Sequence, residues 1–451
     1  MELISEIPVV GGFVGTLIAF LAALSVVIFV HEYGHYIVGR WCGIHPVKFS
    51  LGFGPVIVKR TDKRGTQWQI AALPLGGLVQ FLGDADGASR PDHEALRAAP
   101  EDLKHKAFHT AAVWRRALTV AAGPFANFLF SAVVFTCLAL WVGQPADRPV
   151  MGEIEPVPGL EIAVQEGDEV LSVNGEEIAA FRDIFQIASA MPVHGPLTLE
   201  VLREGERLTL EAPHPSLTLV GRVLPYSAAR RAGLQEHDYI DVVDGQKMRS
   251  FADLLTIVDT SEGRTLSMEV LRDGERLNIE MAPLASPVEL PDGGFETRYR
   301  IGIVGTGIYQ PQFVSYGFVE AVSVGTMEVY NVIYRSFSGI YHMISGALSP
   351  SLLQGPIGIA QMSGETASLG LLEFISFVAI ISTAIGMLNL FPVPVLDGGH
   401  LAMFAYEAIR GKAPSEKFLG WVMPTGLALV LLLMLFATYN DLVRLAADFS
   451  S

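Results

Sequence analysis

Four long apolar stretches dominate the hydropathy pattern of the chain, and polar segments separate them. They cover Gly11–Val30, Ala117–Val142, Leu371–Leu390 and Leu419–Tyr439. Each holds about 20 residues or more, enough for a helix to cross the hydrocarbon core of a bilayer. The pattern therefore predicts a multi-pass α-helical membrane protein with four transmembrane helices.

Residues 47–83 instead have the composition of β-strands. Pro55–Arg60 and Thr66–Ala72 flank a turn, and an apolar run follows Gly76 and Gly77. We expect a β-hairpin or small sheet that is associated with the membrane and lines a cavity, because open sheet edges do not face lipid. Its free edge, around Gly76, Gly77 and Val79, is a candidate binding site for an extended substrate. A plain hairpin loop explains the pattern equally well.

The middle of the chain contains an internal repeat. Gly167–Gly175 aligns with His237–Gly245, and Leu202–Leu208 aligns with Leu271–Leu277, at offsets of 70 and 69 residues. The repeat resembles tandem PDZ domains, and the string Pro225–Leu234 carries the resemblance in the second copy. The first copy departs from that string, so it is either a peptide-binding domain or only a steric module.

Composition and charge separate a membrane part from a water-exposed part. Half of the 451 residues are hydrophobic, and the mean hydropathy is +0.40. Residues 31–116 hold 12 basic and 8 acidic residues, whereas residues 146–310 hold 14 and 28. The positive-inside rule therefore places 31–116 in the cytoplasm and the acidic repeat outside. The net charge of −16 argues against nucleic-acid binding, and two cysteines exclude a cysteine-rich metal site.

The most specific polar motif, His31-Glu32-Tyr33-Gly34-His35, stands at the end of the first apolar stretch. On a helix, His31 and His35 lie one turn apart on one face, so both imidazoles can bind one metal ion. Glu32 lies beside them, where it can take a proton from a water nucleophile. Ionisable groups are costly at membrane depth, so the cluster indicates a functional site, that of a zinc hydrolase.

A catalytic zinc ion needs a third protein ligand. The third apolar stretch ends in a proline-containing segment, which leads to Asp397 and His400. We predict Asp397 as the third ligand, with His400 as the alternative donor. An aspartate that merely ends a helix at the membrane interface is the structural alternative. The donor set favours zinc but also admits iron or cobalt.

The two motifs together resemble those of the site-2 protease family of intramembrane metalloproteases. They are His-Glu-x-Gly-His in the first span and Asn-x-x-Pro-x-Pro-x-Leu-Asp-Gly-Gly at residues 389–399. The resemblance implies that His31, His35 and Asp397 bind one zinc ion per chain and that Glu32 is catalytic. It also implies that Asn389 assists the substrate or the tetrahedral intermediate.

Other parts of the chain extend the resemblance. Gly123-Pro124 with Asn127 is similar to the second span of the family, in which the asparagine is a polar group among apolar ones. The family implies a bacterial inner-membrane protein with periplasmic PDZ domains and an active site near the cytoplasmic side. Its substrates would be single-span membrane proteins, such as a membrane anti-sigma factor in envelope stress signalling, and signal-peptide remnants. An upstream periplasmic protease would act first.

Two other function classes fit the sequence less well. A non-catalytic membrane scaffold would use the PDZ pair alone, but it leaves the complete set of metal ligands unexplained. A metal transporter would have more intramembrane polar residues and inverted repeats, whereas the repeat here is water-exposed.

The expected fold is thus four transmembrane helices with a membrane-associated β-sheet and two inserted α+β PDZ domains. The predicted segments are the first span with the metal motif (1–46), the sheet (47–83), a cytoplasmic loop with the second span (84–145), the two PDZ-like domains (146–215 and 216–286), a linker with interfacial helices (287–352), the third span (353–400), and a cytoplasmic loop with the fourth span (401–451).

Overall fold

The computed structural model describes residues 8–84, 97, 100–157, 160–189, 196–224, 227–289 and 295–450. The chain divides into two compact units. The helical unit consists of Met1–Leu140 and Gly317–Ser451, and the inserted unit is Trp141–Tyr316. The inserted unit therefore interrupts the helical unit once in the sequence.

Eleven α-helices lie in the described residues, together with 3-10 turns at Phe108–Thr110 and Pro350–Leu352. In chain order they are α1 Pro8–Trp41, α2 Glu101–Lys104, α3 Val113–Val142, α4 Phe181–Ser189, α5 Ala228–Arg231, α6 Phe251–Thr260, α7 Phe318–Ser345, α8 Pro356–Leu369, α9 Leu371–Asn389, α10 Asp397–Arg410 and α11 Glu416–Ser450.

The strands are short except for the first two. In chain order they are β1 Pro46–Thr61, β2 Gln67–Phe81, β3 Gln144–Pro145, β4 Met151–Ile154, β5 Glu169–Val173, β6 Glu176–Glu177, β7 Leu197–Arg203, β8 Glu206–Ala212, β9 Val220–Val223, β10 Tyr239–Val243, β11 Gln246–Lys247, β12 Leu266–Arg272, β13 Glu275–Met281, β14 Leu284–Glu289, β15 Phe295–Arg300, β16 Ile303–Gly305, β17 Tyr309–Pro311 and β18 Phe313–Val314.

Among the described residues, four helices of the helical unit are long and apolar enough to cross a membrane, as the hydropathy pattern predicts. These segments are Gly12–Trp41, Val113–Val142, Leu371–Asn389 and Lys417–Ala446. Helices suit this setting because each satisfies its own backbone hydrogen bonds without water.

Small and hydroxyl-bearing residues join the helices that carry the site. A Cβ at Gly34 of α1 would overlap the carbonyl group of Ala122 in α3, so the two backbones are in direct contact. The Ser131 hydroxyl of α3 donates to the carbonyl oxygen of Ala379 in α9 at 2.8 Å. Helix α3 is therefore fixed against both α1 and α9.

The predicted β-hairpin is present, but its strands are folded more tightly than a simple hairpin. Lys48 pairs with both Gln67 and Gln80, whereas Val58 pairs with Ile70. The first part of β1 therefore lies between the two halves of β2. The last part of β2, Gly77–Phe81, forms one edge of this sheet in the described structure.

The inserted unit contains two four-stranded sheets with the same topology. The strand orders are β6-β5-β7-β8 and β11-β10-β12-β13, with α4 and α6 at equivalent points in the two copies. The buried side chains that form the core of each copy occupy matching strands and helices, and they include Val170, Ile184, Leu199 and Val201 in the first and Ile240, Leu254, Met268 and Val270 in the second.

One buried ion pair recurs in both copies. Arg203 donates through Nε and Nη2 to the two carboxylate oxygens of Asp168 at 2.7 and 2.8 Å. Arg272 does the same to Asp238, at 2.7 Å for both contacts. Such bidentate pairs fix the orientation of both partners, so the repeat extends from the topology to individual side chains.

The segment from residue 287 to Tyr316 was expected to be a linker, but it contains paired strands. It contains β15, which pairs with β14, and β16, β17 and β18, which pair with β9, β4 and β3. These strands have two to six residues, too few for a clear alternation of apolar and polar positions. The remainder forms one long helix, α7, followed by the 3-10 turn Pro350–Leu352, in place of several interfacial helices.

Candidate metal centre

Helix α1 carries the first two candidate ligands. His31 and His35 are four residues apart, so their side chains lie on one face of the helix. Their Nε2 atoms approach to 3.2 Å. The side chains are only 11 % and 12 % exposed, so water has little access to them.

The third candidate ligand comes from the opposite end of the chain. Asp397 is the first residue of α10, and its Oδ2 atom lies 3.1 Å from His31 Nε2 and 3.5 Å from His35 Nε2. A Cβ at Gly398 or Gly399 would overlap carbonyl groups of the turn before α10. The two glycines therefore let α10 start directly against that turn, which places Asp397 beside the imidazoles.

The geometry of these three residues fits a zinc ion. Their ligand atoms lie within 4.8 Å of one another. Tetrahedral zinc with bonds of 2.0–2.1 Å places its ligand atoms about 3.3 Å apart, and the observed separations are 3.1, 3.2 and 3.5 Å. Asp397 Oδ2 is buried without a hydrogen-bond partner in the described structure, so a cation there would compensate its charge.

Helix α3 forms the wall of the site and has no side chain at its closest point. A Cβ at Gly123 would overlap the His35 imidazole and come within 2.9 Å of His31 Nε2. Only glycine at this position leaves room for two imidazoles directed at a common ion.

Helix α3 also provides the hydrogen-bond partners of both imidazoles. His35 Nδ1 donates to the carbonyl oxygen of Thr119 at 2.9 Å. Because a carbonyl can only accept, the proton lies on Nδ1, and the Nε2 lone pair is available to a metal ion. His31 Nδ1 lies 3.4 Å from the side-chain nitrogen of Asn127.

Glu32 lies between the ligands and the edge strand of the β-sheet. Its carboxylate interacts electrostatically with the three candidate ligands and accepts a hydrogen bond from the backbone N–H of Val79. A Cβ at Gly77 would lie 2.6 Å from Glu32 Cγ and 2.7 Å from Ile28 Cγ2. The absence of a side chain at Gly77 therefore lets β2 pass directly over the carboxylate.

The comparison with protein families agrees with this geometry. The model of peptidase family M50 matches residues 19–433. The chain belongs to peptidase family M50. The resemblance to site-2 proteases is thereby confirmed, and the M50 protein is a metalloprotease.

Relatives of similar length support the same assignment. A protein of Agrobacterium fabrum named as a zinc metalloprotease is 34 % identical over 439 residues, which cover 96 % of this chain and 97 % of the relative. The regulator of sigma-E protease RseP of Escherichia coli is 34 % identical over 463 residues, which cover 96 % and 99 %. These names support zinc as the metal of the M50 centre.

The structure places the remaining candidates in different surroundings. His400 lies one turn after Asp397 in α10 but is not part of the ligand cluster found in the described residues. Asn389 is the last residue of α9, immediately before the turn that leads to Asp397, and is partly exposed. Gly76, at a φ of +157°, lies against the ring of Phe53, so the bend before Gly77 depends on glycine.

An ion pair holds α10 against α3. Arg116 Nη2 donates to Glu407 Oε1 at 2.7 Å, and the guanidinium lies over the ring of Phe404. Arg116 Nε also donates to the carbonyl oxygen of Ala111. Since α10 starts with Asp397, these contacts help to fix the third ligand relative to the helix that orients the imidazoles.

The sequence alone did not reveal the contacts made by α3. Asn127 was noted only through the family resemblance, and the Thr119 carbonyl carries no sequence signal because it is backbone. The one sequence signal is an asparagine within an apolar span, since such residues need a partner.

Proposed function

We propose that this M50 metalloprotease hydrolyses peptide bonds within or near the transmembrane segments of single-span membrane proteins. In this proposal His31, His35 and Asp397 hold one zinc ion, and Glu32 is the general base. The observation that carries it is the convergence of three metal-donor atoms within 4.8 Å, beside a carboxylate, at the end of an apolar helix.

The proposed reaction divides the work among a few side chains. Bound zinc would supply Lewis-acid catalysis. The Glu32 carboxylate takes a proton from the attacking water and returns it to the leaving amine. Asn389, from the turn that leads to Asp397, donates a hydrogen bond to the developing oxyanion. The surrounding helices exclude bulk water, which strengthens these electrostatic interactions.

We further propose that the substrate binds as an extended strand along Gly77–Phe81. Amides of a transmembrane helix are protected by their own hydrogen bonds, so a substrate must unwind locally before hydrolysis. No strand pairs with the outer edge of Gly77–Phe81 in the described residues; its Val79 N–H donates to Glu32, which lies directly beside Gly77. A strand added there would lie next to the general base.

The cellular setting is proposed from charge and from the relatives. The basic segment 31–116 supports an active site on the cytoplasmic side of a bacterial inner membrane, and the acidic charge of residues 146–310 supports a periplasmic PDZ pair. The Escherichia coli relative is named as a regulator of sigma-E. Together with the family resemblance, this name supports the proposal of a membrane anti-sigma factor in envelope stress signalling as substrate. Signal-peptide remnants are further candidates, and an upstream periplasmic protease would act first.

Glu32→Gln provides the central test of the proposed reaction. It keeps the shape of the side chain and removes the general base, so cleavage of a single-span substrate by purified protein should fall by about 100-fold or more. Zinc content, measured by mass spectrometry, should remain near one ion per chain. Glu373→Gln, at the end of α9 farther from Asp397, is the matched control and should cleave normally.

The same experiment separates the protease from a PDZ scaffold. If cells that carry Glu32→Gln show no loss of function, the result would support a non-catalytic scaffold. Loss of activity with retained zinc would support catalysis by Glu32.

A further inference from the structure

The two histidines of the site have different partners on their Nδ1 atoms. A neutral imidazole that binds a metal through Nε2 carries its proton on Nδ1, which then needs a hydrogen-bond acceptor. For His35 the acceptor is the carbonyl oxygen of Thr119, at 2.9 Å. For His31 the neighbouring group is the Asn127 amide, at 3.4 Å.

Asn127 is held in place by its own backbone. Its side chain is fully buried, and its carbonyl oxygen accepts from the hydroxyls of Ser131 and Ser382 at 2.9 and 3.2 Å. Gly386 of α9 faces it so closely that a Cβ there would lie 3.1 Å from Asn127 Cβ. The amide therefore has a fixed position but remains able to rotate about its Cβ–Cγ bond.

The two orientations of this amide have different consequences. With Nδ2 toward His31 Nδ1, the amide donates, and Oδ1 is left buried without a partner in the described structure. Rotation of the amide leaves Nδ2 at that place instead, so the cost of an unpaired buried group, about 1–3 kcal/mol, is similar in both orientations. With Oδ1 toward Nδ1, the amide accepts the imidazole proton, and the Nε2 lone pair of His31 is directed at the metal position.

We propose that Asn127 is a positioning residue for the metal ligand His31. Its side-chain oxygen accepts a hydrogen bond from Nδ1–H, selects the imidazole form that binds metal through Nε2, and fixes the ring orientation. Helix α3 would thus orient both imidazoles, one through a backbone carbonyl at Thr119 and one through a side chain two turns later. The inference rests on the proposed metal site.

The test measures zinc binding by purified full-length protein in detergent, by competition with a chelator of known affinity. Asn127→Leu removes the acceptor at nearly constant volume and should weaken zinc binding by about 10- to 100-fold. Asn127→Ala removes it without added bulk and should do the same. Asn127→Asp keeps an acceptor oxygen in place and should bind zinc within about threefold of the original protein, since it preserves this contact.

Cobalt substitution supplies a readout that a general packing defect would not reproduce. The visible absorption bands of bound Co²⁺ should shift in Asn127→Leu and stay unchanged in Asn127→Asp. Thr136→Val is the matched control, because it removes a hydroxyl of the same helix that donates to the carbonyl oxygen of Ala132 and not to Asn127. It should leave both zinc affinity and the cobalt spectrum unchanged.

Two results would overturn the inference, and a third would overturn the metal site itself. Equal zinc affinity in Asn127→Leu and the original protein, while His35→Ala loses the metal, removes the proposed role of Asn127. An Asn127→Asp variant as weak as Asn127→Leu shows that the acceptor is not what matters. If His35→Ala binds zinc as tightly as the original protein, the proposed ligand set fails.

Discussion

At the scale of single residues, the site depends as much on missing side chains as on reactive ones. Gly123 leaves room for the two imidazoles, and Gly77 lets the edge strand pass over Glu32. In each case a methyl group would occupy a position that another functional group already fills. Small residues thus define the spacing between the helix with the metal motif and the elements on either side of it.

Gly123→Ala should therefore remove metal binding without unfolding the protein. Alanine favours helix, so α3 should form at least as readily as before. The added methyl group would displace the His35 imidazole, and a misplacement of about 1 Å costs about 100-fold in rate. Zinc content and the cleavage rate of a single-span substrate are the measurements, and both should fall together.

Gly420→Ala is the control for this substitution, because nothing lies within 4 Å of the added Cβ in α11. It should leave zinc content and cleavage unchanged. A Gly123→Ala protein with full zinc content and normal rate would show that α3 does not limit the space around the ligands.

At the scale of elements, the sequence predicts those features that depend on local pattern. The four spans follow from apolar length, and the pair His31 and His35 follows from helical spacing. Asp397 could be proposed as their partner only because it follows another span. The double pairing of β1 was not predictable, since alternation indicates which residues form strands and not which strands become neighbours.

The contact between Asn127 and His31 was beyond sequence analysis for a related reason. An asparagine in an apolar helix shows that a partner is needed but not which neighbouring helix supplies it. The strands between residues 295 and 314 were missed because each is too short for a periodic pattern.

The β-sheet is attached to α1 through the turn between β1 and β2. The Asp62 carboxylate accepts hydrogen bonds from the backbone N–H groups of Arg64 and Thr66, at 2.8 and 2.9 Å, and from the Trp68 indole at 3.2 Å. The hydroxyl of Tyr36 in α1 also donates to it, at 3.4 Å. The turn is therefore fixed both internally and against the helix that carries the ligands.

This attachment should depend on pH. Burial raises the pKa of the Asp62 carboxyl, but the hydrogen bonds from Thr66, Trp68 and Arg64 outweigh it and hold the pKa below its ordinary value of 3.8. A depressed pKa stabilises the fold above the ordinary value, and this contribution is lost as the pH falls through the lowered pKa. Asp62→Ala should therefore lower the melting temperature near pH 7 and make less difference near pH 3.

The expected stabilisation is at most about 1 kcal/mol, because solvent screens a carboxylate that is only partly buried. Asp62→Asn keeps an acceptor oxygen without a charge, so its melting temperature relative to Asp62→Ala should not vary between the two pH values. If the melting temperature of the wild-type protein exceeds that of Asp62→Ala by the same amount near pH 7 and near pH 3, a role for the ionised carboxylate is contradicted.

At the scale of the whole molecule, the chain combines two units with separate cores. The inserted unit has a buried apolar cluster in each of its two copies, and the helical unit has clusters of its own. The ends of the inserted unit are neighbours, because β3 near its start pairs with β18 near its end. Paired strands are about 5 Å apart, so a short linker can replace the segment between them.

Deletion of residues 146–312 with such a linker tests whether the inserted unit selects substrates by size. We expect the original protein to cleave a single-span substrate with a short outer tail and to spare the same span fused to a folded outer domain. The deletion variant should cleave the fused substrate about tenfold faster or more, a difference of about 1.4 kcal/mol in the barrier.

Cleavage of the short substrate, measured by gel electrophoresis, should stay near the original rate, which controls for an intact metal site. The same deletion carrying Glu32→Gln should cleave neither substrate, so that any new product is assigned to this active site. If the deletion variant keeps the original preference, the inserted unit does not act as a filter, and the selection by size must arise within the helical unit.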